Sequence, residues 1–130
     1  EKARNPLGEV SAICVYKQFI PVVKDKLGVD FKVATVVNFP NGDANMEGVL
    51  ADTKEALRLD ADEIDLVIDY KGYLINGISE YSCDLVAQVK KLCNEKVLKV
   101  IIESGELKND ALIEKSTKDA IANVINGIFP

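Results

Sequence analysis

The chain has 130 residues, of which 48% are hydrophobic and 28% charged, and its net charge is −5. That length suits one domain burying roughly two thirds of its unfolded surface, and the balance is that of an ordinary globular chain. Few Gly (8) and Pro (4) exclude a collagenous or low-complexity polymer, and 21 acidic against 16 basic residues argue against a partner with a phosphate backbone such as nucleic acid.

Residues 11–16 (SAICVY) read as a first strand and residues 17–27 as a helix. Residues 31–38 (FKVATVVN) form a second, Val-rich strand, closed by the Pro and Gly of Phe39-Pro40-Asn41-Gly42. Met46, Val49, Leu50, Thr53, Ala56 and Leu57 then recur at helical spacing. Residues 63–68 (EIDLVI) are a third strand, followed by a loop holding Gly72 and Gly77. A helix over 80–92 comes next, with Leu85, Val86, Val89 and Leu92 on one face. Residues 97–103 (VLKVIIE) form the fourth strand, with a turn at Ser104-Gly105. The last helix spans 109–125, with Asn109 as its N-cap and Leu112, Ile113, Ala120, Ile121 and Val124 as its apolar stripe. Residues 126–130 read as the approach to a further strand.

No apolar run reaches the roughly 18 residues of a membrane span, and no signal peptide opens the chain. Three scattered cysteines (Cys14, Cys83, Cys93), no Cys-x-x-Cys pair and no His speak against a disulfide framework, a zinc site and a His-based triad. They point to a reducing, cytoplasmic setting and leave acid–base work to carboxylates, Lys, Tyr and Cys. Cys83 and Cys93 read as packing residues, and Lys115 and Lys118 as a solvated helix face. Glu103-Ser104-Gly105-Glu106 either lines a site or only turns the chain.

Helices interposed at this regular spacing imply parallel strands. Two architectures fit: a small doubly wound open sheet, or part of a (β/α)8 barrel, which needs about 250 residues when complete. The strand faces favour the barrel. Asp65 shares a side with Glu63, Val67 and Asp69, opposite Ile64, Leu66 and Ile68; Lys99 shares a side with Ile101 and Glu103, opposite Leu98, Val100 and Ile102. An open sheet covered on both sides would be apolar on both. A barrel is covered only outside, and its interior can carry charge. Each charge buried alone would cost several kcal/mol, so a neighbouring countercharge is expected. If the third and fourth strands are adjacent, Asp65 and Lys99 come within reach of each other, as part of a site or as a structural ion pair, the other reading being exposed residues on a sheet edge. Cys14 lies on the face shared with Ala12 and Tyr16.

Four segments carry a resemblance to the deoxyribose-phosphate aldolase family. Ala12-Ile13-Cys14-Val15-Tyr16 with Phe19-Ile20-Pro21 resembles its second strand, and Ala34-Thr35-Val36-Val37-Asn38-Phe39-Pro40-Asn41-Gly42 its third. Ala61-Asp62-Glu63-Ile64-Asp65-Leu66-Val67 resembles the fourth, and Leu98-Lys99-Val100-Ile101-Ile102-Glu103-Ser104-Gly105-Glu106-Leu107 the fifth. They fall in order from about Pro6 to Ile121. The resemblance implies an α/β chain of the TIM (β/α)8 barrel class, residues 1–130 forming one partial barrel domain with strands two to five. It implies a class I aldolase that cleaves 2-deoxy-D-ribose 5-phosphate reversibly to glyceraldehyde 3-phosphate and acetaldehyde through a lysine Schiff base, with no metal or other cofactor. Phosphorylated sugar and aldehyde substrates, a cytoplasmic location and a homo-oligomer follow from it, with neither nucleic acid nor membrane as a partner. Asp65 matches the family's catalytic aspartate; Cys14 and Lys99 match residues lining the substrate pocket.

The family's first strand would precede Glu1, and its Schiff-base lysine belongs to a Lys-Thr-Ser-Thr-Gly motif on the sixth strand. Asn126-Gly127-Ile128-Phe129-Pro130 stands at about that place without a lysine. The chain by itself is therefore expected to be inactive, with Lys99 as a weak substitute for the missing amine. A non-catalytic half-barrel that self-associates through exposed strand edges is the alternative. An independent phosphate-binding open sheet is a third, weakened by the lack of a Gly-rich turn after the first strand.

Overall fold

The computed structural model describes residues 3–129. A two-stranded antiparallel hairpin, β1 (Arg4–Asn5) and β2 (Gly8–Glu9), precedes the strands expected from the sequence. Those follow as β3 (Ala12–Cys14), β4 (Lys32–Val37), β5 (Glu63–Val67) and β6 (Val97–Ile101), paired in chain order in one parallel sheet. The helices between them are α1 (Ile20–Leu27), α2 (Met46–Arg58), α3 (Tyr70–Asn76) and α4 (Glu80–Cys93). After β6 come α5 (Ser104–Leu107) and α6 (Asp110–Ile128). The fold is an α/β arrangement with a parallel four-stranded sheet, part of a TIM-type barrel.

Strand alternation separates two faces. Val33, Val37, Ile64, Leu66 and Ile68 point to one side, where they bury against Ile20, Val49, Ala56, Leu85, Val86 and Val89 of the helices. The apolar periodicity of α2 and α4 follows from this contact, each helix giving one stripe to the sheet. Their starts are fixed by side-chain caps: Asn45 accepts from the Gly48 amide and Ser79 from the Ser82 amide. Asn109 caps α6 as expected, accepting from the Leu112 amide at 3.1 Å.

The first strand ends early, at Cys14, and a 3-10 turn at Lys17–Phe19 opens the helix that follows it; the structure departs from the sequence reading in four further places. The loop expected around Gly72 is helix α3, because Asp69 caps it through the Gly72 amide and Gly77, at φ 75°, ends it. The expected turn at Ser104-Gly105 opens the single-turn helix α5. Strand β6 stops at Ile101, two residues early, as Glu103 turns left-handed at φ 55° to start α5. Residues 126–128 are no approach to a strand; they continue α6 to Ile128. Gly127 acts there as a contact residue: a Cβ on it would lie 2.6 Å from the Ala87 carbonyl oxygen of α4, so its lack of a side chain lets α6 lie close on α4. Pro130 lies outside the described residues.

Cys93 is buried, as a packing residue should be, and Cys83 is half-buried beside α6. The Lys115–Lys118 face is only partly free. Lys118 pairs with Glu114 in solvent, while Lys115 holds Asp119, which also accepts from the buried Tyr73 hydroxyl at 2.9 Å.

At the N-terminal end of the sheet, Asp62 ties three elements together. It accepts from Lys24 Nζ at 2.6 Å and from the Val33 amide at 2.9 Å, with Lys96 Nζ at 3.6 Å. Burial pushes its carboxyl up, but the Lys24 and Val33 hydrogen bonds outweigh that and hold it below the usual carboxylate range. A depressed folded value stabilises above the unfolded value of about 4 and is lost as pH falls through the folded one. Asp62→Asn is therefore expected to cost roughly 1–3 kcal/mol at pH 7. In urea denaturation that gap should shrink as the pH falls from the unfolded carboxylate value of about 4 through the folded one.

Candidate active site

The face of the sheet that the helices leave uncovered carries the charge. Parallel register sets Asp65 beside Lys99 and Val36, and sets Glu63 beside Ala34 and Val97. The expected pairing is present: Lys99 Nζ lies 3.1 Å from Asp65 Oδ2. It also lies 2.8 Å from Glu63 Oε1, so one ammonium bridges two carboxylates spaced i, i+2 on β5. Glu63 was visible on the charged face in the sequence but not singled out, because alternation shows the side of a sheet and not which partner a long side chain reaches.

The three groups differ in their access to water. The side chain of Asp65 is 8% exposed, that of Glu63 16% and that of Lys99 59%. Lys99 thus spans from the carboxylates toward solvent, its stem along the sheet. Asp65 Oδ1 is buried and has no hydrogen-bond partner among the described residues. One oxygen of this carboxyl is anchored on Lys99 and the other has no partner.

Burial pushes the Asp65 carboxyl up; the Lys99 ammonium draws it back, and Glu63, sharing the same cation, pushes it up again, for a net rise. Hydrogen bonds to Glu63 and Asp65 hold the Lys99 ammonium above its usual range. A Schiff-base amine must lose its proton near neutrality, so these carboxylates make Lys99 a cation and a poor nucleophile.

Cys14 is on the same face, beside Ala34 and two strands from β5, at the end of a strand and not in its middle. Its thiol is raised by partial burial and then by Asp65, which leaves it protonated and suits a lining role. At the C-terminal ends of β3 and β4, a cavity of about 150 Å³ opens between Tyr16, Lys17, Val36, Asn38 and Phe39. Asn38, left-handed at φ 58°, donates from Nδ2 to the Val67 carbonyl at 2.9 Å and holds the end of β4 against β5. Phe39-Pro40 is a cis peptide. Among the described residues, no group of three His, Cys, Asp or Glu side chains is arranged to hold a metal ion. No helix there is long and apolar enough to cross a membrane.

The profile of the DeoC/LacD family aldolases matches residues 1–126. The chain belongs to that family. Two crystal structures of a Toxoplasma gondii ME49 protein assigned as a deoxyribose-phosphate aldolase superimpose with TM-scores of 0.85 and, for the apo form, 0.81. Their identities to this chain are 28% and 29%; each match covers 93% of this chain and 47% or 50% of the other. The tetrameric deoxyribose phosphate aldolase of Aeropyrum pernix shares the fold at 22% identity and TM-score 0.67, over 89% of this chain and 47% of that one. The chain spans about half the length of the solved structures it matches. The four segments that resembled this family in the sequence are the four strands of its parallel sheet and their C-terminal loops.

A carboxyl whose folded value lies above its unfolded one binds its proton more tightly in the native state. Stability from Asp65 therefore rises as pH falls and is lowest above the folded value. Asp65→Asn should leave the chain about as stable at pH 7 or more stable by roughly 1 kcal/mol. The advantage should disappear on acidification, which urea denaturation at two pH values measures.

Proposed function

We propose that this chain carries the proton-handling part of a deoxyribose-phosphate aldolase site, acting in reversible aldol cleavage of 2-deoxy-D-ribose 5-phosphate to glyceraldehyde 3-phosphate and acetaldehyde. The observation that supports it is the buried Asp65 carboxyl, with one oxygen on Lys99 and the other unpartnered, on the open face of a parallel sheet. In such a reaction a lysine amine condenses with the substrate aldehyde and releases water. Cleavage of the bond between the carbons α and β to the iminium sends its electron pair into an enamine, as the hydroxyl on the β carbon gives up its proton and becomes the aldehyde of the departing fragment. Protonation of the enamine carbon and hydrolysis then release acetaldehyde.

Each of these steps moves a proton over a short distance, and a carboxyl whose proton affinity is raised by burial is suited to both directions of transfer. Asp65 is assigned that role, through a water bound at Oδ1. Lys99 is assigned electrostatic positioning: its ammonium holds Asp65 Oδ2 at 3.1 Å and leaves Oδ1 without a partner. Cys14 lines the same face. The Schiff-base amine is assigned to none of these residues, and the 130 residues alone are proposed to be inactive. The three free cysteines suit a reducing, cytoplasmic setting.

Two measurements test this. The chain incubated with 2-deoxy-D-ribose 5-phosphate and borohydride, then weighed intact, should gain no reduced adduct; an adduct on Lys99 would contradict the cationic role. A chimera in which the sixth to eighth strands of the Toxoplasma protein follow α6, with that protein's first strand ahead of β3, should cleave the substrate. Asp65→Asn in that chimera should lower kcat about 100-fold or more with little change in KM. A folded chimera with full activity after Asp65→Asn would remove the carboxylate from the mechanism.

A further inference from the structure

In the register of β5 and β6, Lys99 stands opposite Asp65, and Glu63 stands opposite the uncharged Val97. A lysine reaching straight across would meet Asp65 first. Instead its Nζ lies 2.8 Å from Glu63 Oε1 and 3.1 Å from Asp65 Oδ2. The shorter contact is thus with the carboxylate two positions before its register partner. Lys96, which borders Glu63 at the N-terminal end of the sheet, is held by Asp60 and Asp62 instead. Among the described residues, Lys99 is the cation that both Glu63 and Asp65 hold.

Two carboxylates on one ammonium leave a negative charge in excess on a largely buried patch, and a single proton relieves it. Asp65 is the more buried of the two, has the longer contact with Lys99, and keeps Oδ1 unpartnered. We propose that Glu63 is a positioning residue of the reaction proposed above, on which this role rests: it keeps Lys99 paired whether or not Asp65 carries a proton, and so frees Asp65 to gain and lose one. When Asp65 takes up a proton at Oδ1, Lys99 retains Glu63 as its counter-ion. When that proton leaves again through water, the charge formed on Asp65 meets an ammonium already in place. With Asp65 alone, each protonation would strip Lys99 of its carboxylate, and the proton would be taken up less readily.

The remaining groups on this face do not compete for the role. Val36, beside Asp65 on β4, is apolar, and the Cys14 thiol on β3 stays protonated. Asp69, farther along β5, is engaged by the Gly72 amide and the Ser79 hydroxyl. Glu103 lies beyond the end of β6, where the chain turns into α5. Burial raises the Asp65 carboxyl, and the hydrogen bond to Glu63 comes first among the causes that raise the Lys99 ammonium, in keeping with this division.

The pairing is measured in the 130-residue chain by double-mutant cycles in urea at pH 7. Lys99→Met with Glu63→Gln should show a coupling at least about threefold larger, in the unfolding equilibrium constant, than Lys99→Met with Asp65→Asn. In the chimera carrying the Toxoplasma strands, Glu63→Gln should move the acid limb of the kcat profile about one pH unit downward with little change in KM. Glu63→Asp, which keeps the charge, should leave the limb in place. A larger coupling of Lys99 to Asp65 would overturn the proposal, as would an acid limb that Glu63→Gln does not move. The two failures are distinguishable. Full activity after Asp65→Asn removes the proposed reaction, whereas activity that needs Asp65 but ignores the charge at Glu63 removes only the role of Glu63.

Discussion

One sheet with helices on only one side must solve two solvation problems with the same strands. Residues alternate, so every apolar side chain that β5 gives to the helices is followed by one that does not reach them. Ile64 and Leu66 are fully buried against α2 and α4, and between them Asp65 points the other way into a setting almost as dry. An isolated carboxylate there would be costly. The ammonium of Lys99, brought alongside by parallel register with β6, meets that cost in part and draws in Glu63 as well. The rest of the site is arranged around this bridge.

The asymmetry between the two oxygens of Asp65 is its chemical content. A carboxylate whose oxygens are both held by cations is a structural anchor with a depressed proton affinity, as Asp62 is just ahead of β5. Asp65 shares one cation with a second carboxylate and leaves Oδ1 without a partner, so burial dominates and its proton affinity rises. The two aspartates lie three positions apart, yet neighbouring cations and amides give one a role in stability and the other a role suited to catalysis. For Lys99 the same bridge works the other way, since what stabilises its charge removes its nucleophilicity.

Much of this was legible in the sequence because it depends on period and order. Alternation in Glu63-Ile64-Asp65-Leu66-Val67-Ile68 gave the two faces, regular helix spacing gave parallel strands, and the cost of burying a lone charge pointed to Lys99 as the neighbour of Asp65. What escaped depends on distances that periodicity does not encode. Helix α3 hides behind Gly72 and Gly77, and only the cap from Asp69 shows that the segment is helical. Gly127 resembles a helix stop and is instead the point where α6 comes close to α4. Ile121 was read as core from its place on an apolar stripe, but stripe membership does not say whether a partner strand is present, and here that side of α6 faces a groove. The reach of Lys99 to Glu63 as well as Asp65 is a side-chain property that no spacing reveals.

The account turns on the proton affinity of Asp65. A carboxyl-carbon NMR titration of the isotopically labelled chain, with the resonance assigned by Asp65→Asn, measures it in the folded protein. The midpoint for Asp65 should lie above the ordinary aspartate value of about 3.9, and Glu63→Gln should lower it. A midpoint at or below that value, unmoved by Glu63→Gln, would mean that Lys99 simply neutralises Asp65 in a structural ion pair, and the proposed proton-transfer role would fall with it.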